Sequence, residues 1–176
     1  AEFWLQFNIG TSMLAKYLVL PLDYFTMVKD SESGIEKIKL EKPGIYGYFD
    51  TAGKCYKIYQ PHSKKNKFTK VLEHLQGLDQ LTNEKDYLII TSSLKDGMCI
   101  SSFGFNLEFI APHSENTIIK PHIIHNLKQS YKKILSLFDN DEAGHTAMET
   151  YKRVYNVDGI YIKSEKDISD AVKKYG

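Results

Sequence analysis

The second half of the chain alternates short apolar runs with segments of helical periodicity, and this alternation constrains the fold more than any other feature. The run Tyr87 to Thr91 is apolar and bounded by polar residues, which is typical of a buried parallel strand. Further strands are predicted at 107–111, 134–138 and 159–162, and helices at 94–103, 121–131, 142–155 and 168–174. Such alternation predicts an α/β fold with a mostly parallel four-stranded sheet flanked by helices.

The first half of the chain has a different pattern of apolar residues and is predicted to form a small α+β subdomain. Apolar residues at three- and four-residue steps predict short helices over residues 1–27, which Pro21 would end. Aromatic and β-branched runs at 45–49 and 55–59 flank a turn containing Gly53, which predicts a β-hairpin. Residues 68–76 are predicted to form a short amphipathic helix. The predicted domains are therefore residues 1–86 and 87–176.

Composition excludes several classes of protein. With 42% hydrophobic and 26% charged residues, the chain has an ordinary globular balance. The two cysteines, Cys55 and Cys99, are too few for a disulfide scaffold. No apolar run approaches the roughly 20 residues that a membrane span needs, and the start shows no secretory signal pattern. We therefore expect no membrane association and a cytoplasmic location.

Acidic residues follow three of the four predicted strands. They are Asp96 after the first strand, Asp139 and Asp141 after the third, and Asp167 and Asp170 after the fourth. The carboxyl ends of parallel strands share one edge of a sheet, which is where ligands bind. Two carboxylates plus water suit a hard cation, so this edge is predicted to bind Mg²⁺ or Mn²⁺. The alternative is that these acids only cap the helices that follow them.

Residues 54–70, called the lysine strip below, carry six positive charges and no acidic residue. Tyr56, Tyr59 and Phe68 are interleaved with the lysines. Lysines release counterions from a phosphate backbone, and aromatic faces stack on unpaired bases. The alternative is a solvated lysine loop. The residues predicted to bind nucleic acid are Lys54, Lys57, Tyr59, Lys64, Lys65, Lys67 and Lys70.

The motifs of residues 86–176 resemble a Toprim domain, the fold shared by bacterial-type primases, topoisomerases and certain nucleases. The run Asp139-Asn140-Asp141-Glu142-Ala143-Gly144 is similar to the primase version of the family's Asp-x-Asp motif. The run Lys166-Asp167-Ile168-Ser169-Asp170 resembles the later acidic motif of the primases. The hairpin and the stretch before it resemble the N-terminal half of a phage-type primase core.

One position departs from the family pattern. The family's first motif ends its strand with Glu-Gly, followed by two residues and Asp. This chain keeps the Asp as Asp96 but has Ser92 in place of the Glu. Glu115, after the second strand, is the residue expected to supply the missing carboxylate, although it could equally be a solvated or capping acid. Lys95, beside Asp96, is expected to meet a nucleotide phosphate.

The resemblance implies a phage-type DNA primase core that makes primers on single-stranded DNA by metal-dependent nucleotidyl transfer. The implied partners are the template, nucleoside triphosphates, and a replicative helicase or flanking domains. The implied location is the cytoplasm of a bacterial or phage-infected cell. Two alternatives stay open, namely a catalytically degenerate Toprim module that only binds nucleic acid and a Toprim nuclease.

Overall fold

The structure is a computed structural model that describes residues 2–31, 34–40, 44–64, 67–114 and 116–176. Its contacts divide the chain into two compact units, residues 14–73 and residues 1–13 with 74–176. The predicted division into domains 1–86 and 87–176 stays a prediction. In chain order the helices and strands are α1 Glu2–Leu5, α2 Thr11–Lys16, β1 Val19–Leu22, β2 Phe25–Ser31, β3 Gly34–Leu40, β4 Ile45–Phe49, β5 Cys55–Tyr59, β6 Phe68–Lys70, β7 Tyr87–Thr91, α3 Leu94–Ser101, β8 Leu107–Ile110, α4 Pro121–Ser130, β9 Lys133–Leu137, α5 Glu142–Tyr155, β10 Asp158–Gly159 and α6 Ile168–Tyr175.

The unit of residues 14–73 is built on an antiparallel sheet in the order β1-β4-β5-β6, and β2 pairs with β3 as a separate two-stranded sheet. The predicted hairpin is confirmed as β4 and β5. Its buried side chains include Tyr48, Tyr56 and Ile58, so that aromatic residues supply much of this core.

Two helix predictions in this part of the chain are wrong. Residues 1–27 contain α1 and α2, but they also contain β1 and the start of β2. Pro21 lies inside β1, an edge strand, where its missing N–H costs no ladder hydrogen bond. The predicted helix at 68–76 begins instead as β6, because Phe68 pairs with Tyr59 across an antiparallel ladder and their rings stack with centroids 4.6 Å apart.

The larger unit has the predicted four-stranded parallel sheet, in the order β10-β9-β7-β8. The last strand is shorter than predicted. Only Asp158 and Gly159 pair as β10, and one more backbone bond, from Ile160 N to Ser136 O at 2.7 Å, continues the contact. Helix α5 has the predicted bounds.

The core of this unit lies on both faces of β7. Leu88 and Ile90 pack with Phe138, Met148 and Tyr151 in one buried cluster. On α3, Gly97 packs so close to β8 that a Cβ there would lie 1.9 Å from the Phe109 ring. In the described residues, no helix is long and apolar enough to cross a membrane.

This topology positions the candidate site. β7, β9 and β10 run parallel, so the loops that follow them emerge at the same edge of the sheet. Those loops carry residues 92–96, 138–142 and 160–167.

Candidate metal centre and nucleic-acid surface

The turn after β9 places two carboxylates beside each other. Asp141 is the N-cap of α5, and its Oδ1 accepts the backbone N–H of Gly144 at 3.0 Å. A Cβ on Gly144 would lie 2.0 Å from the backbone oxygen of Asp139, so only glycine allows this close turn. Capping uses one oxygen of Asp141 and leaves Oδ2 available. The capping and metal-binding interpretations of Asp141 are therefore compatible.

Lys166 lies between the two carboxylates. Its Nζ is 3.6 Å from Asp139 Oδ2 and 3.3 Å from Asp141 Oδ2. The hydrogen bond to Asp141 is the main cause that raises the pKa of Lys166, whereas the pKa of Asp141 is lowered, first by the Gly144 N–H and also by Lys166. The Oδ2 atoms of Asp139 and Asp141 thus converge on the ammonium group of Lys166. Lys166 belongs to the run 166–170, but the sequence did not predict it as a residue of the candidate metal site. Only the fold brings Lys166 close to Asp139.

Asp139 is the more enclosed acid of the pair, with a side chain 15% exposed against 38% for Asp141. Burial raises its pKa, a hydrogen bond from Ser92 opposes the rise, and the charge of Asp167 adds to it. Ser92 Oγ also accepts the backbone N–H of Asp139 at 2.8 Å. Ser92 therefore holds the Asp139 turn in place.

Asp96 is almost completely enclosed, at 4% exposure, in the first turn of α3. Ser93 Oγ donates to its Oδ2 at 2.5 Å, whereas its Oδ1 has no hydrogen-bond partner among the described residues. Burial first, and then the charge of Asp167, raise the pKa of Asp96 to about 6. Asp139 contributes to the same rise. An orphaned carboxylate oxygen at an edge of accumulated negative charge fits a bound cation.

The remaining predicted acids have different surroundings. Asp167 is the N-cap of α6 and accepts the Asp170 N–H at 2.7 Å and the Ser169 hydroxyl at 2.6 Å. Its charge nevertheless acts on Asp96 and Asp139. The exposed carboxylate of Asp170 makes no hydrogen bond or ion pair within the described part of the chain. Glu115 lies outside the described residues.

In the described ranges, no group of three or more His, Cys, Asp or Glu side chains is arranged to hold a metal ion. Two carboxylates suffice for Mg²⁺, which keeps several waters when bound to proteins. The converging oxygens of Asp139 and Asp141 fit that chemistry. The assignment of Asp167 and Asp170 as ligands stays a prediction.

Lys95 does not lie free beside Asp96. Its Nζ is 4.7 Å from the centroid of the Phe7 ring, a cation–π contact, while its charge lowers the pKa of Asp96. Its predicted role toward a phosphate stays a prediction.

The described residues of the lysine strip include the strands β5 and β6. Phe68 is 39% exposed, and its ring lies on the buried Tyr59 and carries Lys57 Nζ 4.5 Å from its centroid. Phe68, rather than Tyr59, is therefore the partly exposed ring of this stack, and Tyr59 and Lys57 both contact it. Lys54, Lys64 and Lys67 are exposed, and Lys70 pairs with Glu73 at 3.5 Å. Lys65 lies outside the described residues.

Comparison with known proteins finds similarity in structure only. No family model and no curated protein matches the sequence. The primase of Aquifex aeolicus, in a structure of its zinc-binding and RNA polymerase domains, matches with a TM-score of 0.66 and 16% identity over 99% of this chain and 52% of that one. This chain therefore spans about half the length of that fragment.

Two structures from bacteriophage T7 also match. The primase fragment of the primase-helicase protein has a TM-score of 0.58 and 17% identity over 93% of this chain and 64% of that one. The other is a complex of the lagging-strand DNA polymerase with primase domains of two gp4 subunits, bound to an RNA/DNA hybrid and dTTP. It matches with a TM-score of 0.59 and 16% identity over 95% of this chain and 82% of that one. The chain thus has a primase-like fold.

Proposed function

We propose that this chain is the catalytic core, or most of it, of a phage-type DNA primase, with a Toprim domain over residues 87–176. The observation that carries the proposal is the convergence of Asp139 Oδ2 and Asp141 Oδ2 on one cation, Lys166 Nζ, at 3.6 and 3.3 Å. The primase-like fold supports the choice of reaction. The substrates are nucleoside triphosphates and a single-stranded DNA template.

Asp139 and Asp141 would hold Mg²⁺ or Mn²⁺ with their carboxylates, and the charge of Asp139 acts on the nearby Asp96. A bound divalent cation supplies charge neutralisation on the triphosphate and stabilises the oxygens of an in-line displacement. Ser92 contributes by fixing the Asp139 turn through the hydrogen bond at 2.8 Å. Gly144 contributes by allowing α5 to begin directly against Asp139.

Asp96 is the residue we assign to proton transfer. Its carboxylate would accept the proton of the primer 3′-hydroxyl as that oxygen attacks the α-phosphorus and pyrophosphate leaves, and this step requires the enclosed side chain to become accessible to the substrate. A pKa raised to about 6 suits this task, because the base is mostly ionised at neutral pH and still binds a proton readily. Lys95 is a further candidate for a contact with the nucleotide phosphate, and Glu115 is the candidate for the carboxylate that Ser92 does not supply.

The lysine strip is the proposed template surface. Phe68 offers one exposed ring for stacking on a base, and Lys54, Lys64 and Lys67 offer exposed charges to the phosphates. Lysine is a point charge without arginine's planar fork, so we expect backbone contact without sequence preference.

The test is primer synthesis on single-stranded DNA with ribonucleotides and Mg²⁺ or Mn²⁺. We expect labelled oligonucleotides from the wild type, and a loss of at least about 100-fold in Asp139→Asn and Asp141→Asn, since each removes a charged metal ligand. Asp23→Asn, at an exposed aspartate in β1–β2, is the matched control and should retain activity. Metal binding without any synthesis on any template would contradict the primase proposal.

The second candidate is a module that binds single-stranded nucleic acid without catalysis. Ser92 favours it, because a hydroxyl already engaged with Asp139 replaces the expected carboxylate. This candidate predicts DNA binding that persists in EDTA and no synthesis. Shortening of the labelled DNA would instead indicate a Toprim nuclease.

The partner of the proposed core is a replicative helicase or a flanking template-recognition segment. One matched T7 structure is a fragment of a primase-helicase protein. A stimulation of synthesis by an added cognate helicase would support this partner, and its absence over a full concentration series would count against it.

A further inference from the structure

We propose that Lys166 is a built-in competitor of the divalent cation, and that metal binding requires its ammonium group to leave the two carboxylates. This inference rests on the proposed function, since it concerns the same site. It assigns Lys166 a role in setting the metal affinity.

Lys166 and a bound metal ion need the same carboxylate oxygens. Asp141 uses Oδ1 to cap α5, so Oδ2 is the oxygen left for a ligand. Lys166 Nζ lies 3.3 Å from that oxygen and 3.6 Å from Asp139 Oδ2. A divalent cation held by these two carboxylates would compete with the ammonium group for the same oxygens.

The Lys166 side chain can leave the carboxylates while its backbone stays in place. Lys166 O accepts the Asn140 N–H at 2.5 Å, and the preceding Glu165 is held by Lys174 Nζ at 2.6 Å and the Tyr175 hydroxyl at 3.0 Å. The Lys166 side chain itself is 60% exposed. Rotation of this side chain into water therefore breaks two ion pairs without unfolding the loop.

The charges at this edge of the sheet also favour replacement of Lys166 by a divalent cation. With Lys166 in place, Asp139 and Asp141 are neutralised in part, while the buried Asp96 keeps an unpaired Oδ1. The single positive charge of Lys166 pairs with Asp139 and Asp141 but makes no ion pair with Asp96 in the described residues. A divalent cation carries twice the charge and accepts several oxygen ligands, so exchange is favoured once metal is available. The apparent metal affinity is then reduced by the fraction of molecules in which Lys166 occupies the site.

The test is Mn²⁺ binding, measured by electron paramagnetic resonance of the free ion, in the wild type, Lys166→Gln and Lys163→Gln. Lys163 is an exposed lysine on the same loop without an ion pair in the described residues, and its change to Gln removes the same charge. We expect Lys166→Gln to lower the Kd for Mn²⁺ about three- to tenfold, and Lys163→Gln to change it less than about twofold.

Thermal denaturation gives an independent reading. In EDTA, Lys166→Gln should have a lower Tm than Lys163→Gln because Asp139 and Asp141 then repel each other. Saturating Mn²⁺ should remove that difference, since a ligand that binds the native state stabilises it.

An unchanged or weaker Mn²⁺ affinity in Lys166→Gln would overturn this inference and leave the proposed function standing. An absence of Mn²⁺ binding in both Lys166→Gln and the wild type would overturn the inference and the metal site together. Tighter binding in Lys166→Gln with no primer synthesis by the wild type would uphold the inference and contradict the primase function.

Discussion

Ser92 Oγ accepts the backbone N–H of Asp139 at 2.8 Å, and these two residues are 47 positions apart in the chain. The contact joins the end of β7 to the end of β9 at the edge where the carboxylates gather. It holds the acidic turn against the end of the neighbouring strand. It also gives the first of five predictions.

Ser92→Ala removes the acceptor of the Asp139 N–H and the hydroxyl that lowers the pKa of Asp139. We expect a loss of about 1–2 kcal/mol in the free energy of unfolding, because a partly buried N–H is left unpaired. Urea denaturation measures it. Ser164→Ala, at an exposed serine, is the control and should change stability by less than about 0.5 kcal/mol. Equal effects of the two substitutions on stability would contradict the stabilising role of the Ser92–Asp139 hydrogen bond.

Asp96 should make the protein less stable at neutral pH than at mildly acidic pH. Its pKa is raised from 3.8 to about 6 in the folded state, so the folded protein binds the proton more tightly than the unfolded chain. The stabilisation is present below pH 3.8 and is lost as pH rises through about 6. Asp96→Asn does not show this pH-dependent loss of stability, because asparagine has no carboxyl group to ionise.

We therefore expect Asp96→Asn to be more stable than the wild type at pH 7, by up to about 3 kcal/mol, with the difference shrinking toward pH 4. The same variant should have lost primer synthesis. Chemical denaturation at several pH values measures the first effect. A pH-independent difference in stability would contradict the raised pKa.

Phe68→Ala should weaken binding to single-stranded DNA by at least about fivefold, because stacking on an aromatic ring is worth about 1–3 kcal/mol per base. Fluorescence anisotropy with labelled oligo(dT) measures it. Phe103→Ala is the matched control, since Phe103 is 42% exposed against 39% for Phe68. If both variants bind like the wild type, Phe68 is not part of the template surface.

The double variant Lys64→Gln/Lys67→Gln should reduce the salt dependence of DNA binding. Each phosphate contact to a single strand contributes about 0.7 to the slope of log K against log salt, so a decrease of about 1.4 is expected. Anisotropy titrations at several salt concentrations give the slope. Lys85→Gln/Lys120→Gln removes the same charge from two other exposed lysines and should leave the slope unchanged.

Gly144→Ala should destabilise the fold by about 1–3 kcal/mol and lower metal affinity, because the added Cβ would lie 2.0 Å from the backbone oxygen of Asp139. The turn must open to relieve this overlap. Gly10→Ala is the control, since a Cβ there has no heavy atom within 4 Å. Thermal denaturation with and without Mn²⁺ compares them, and a Gly144→Ala protein as stable as Gly10→Ala would contradict the packing argument.

Local pattern determined much of the fold. Helix α5 has the predicted bounds, and the β4–β5 hairpin and the parallel sheet are as predicted, because periodicity and turn residues lie within short windows of sequence. The strands that were missed depend on distant partners. β1 is a strand because Val19 pairs with Tyr48, and β6 because Phe68 pairs with Tyr59.

The candidate site divides in the same way. The sequence by itself placed Asp139 and Asp141 at a strand end, since their spacing and the following glycine are local features. Only the tertiary structure brought Lys166 between them and left Asp96 Oδ1 unpaired in the protein's interior. The charge balance and the burial of these side chains depend on which loops meet at the edge of the sheet. Packing over the whole unit decides which loops meet there.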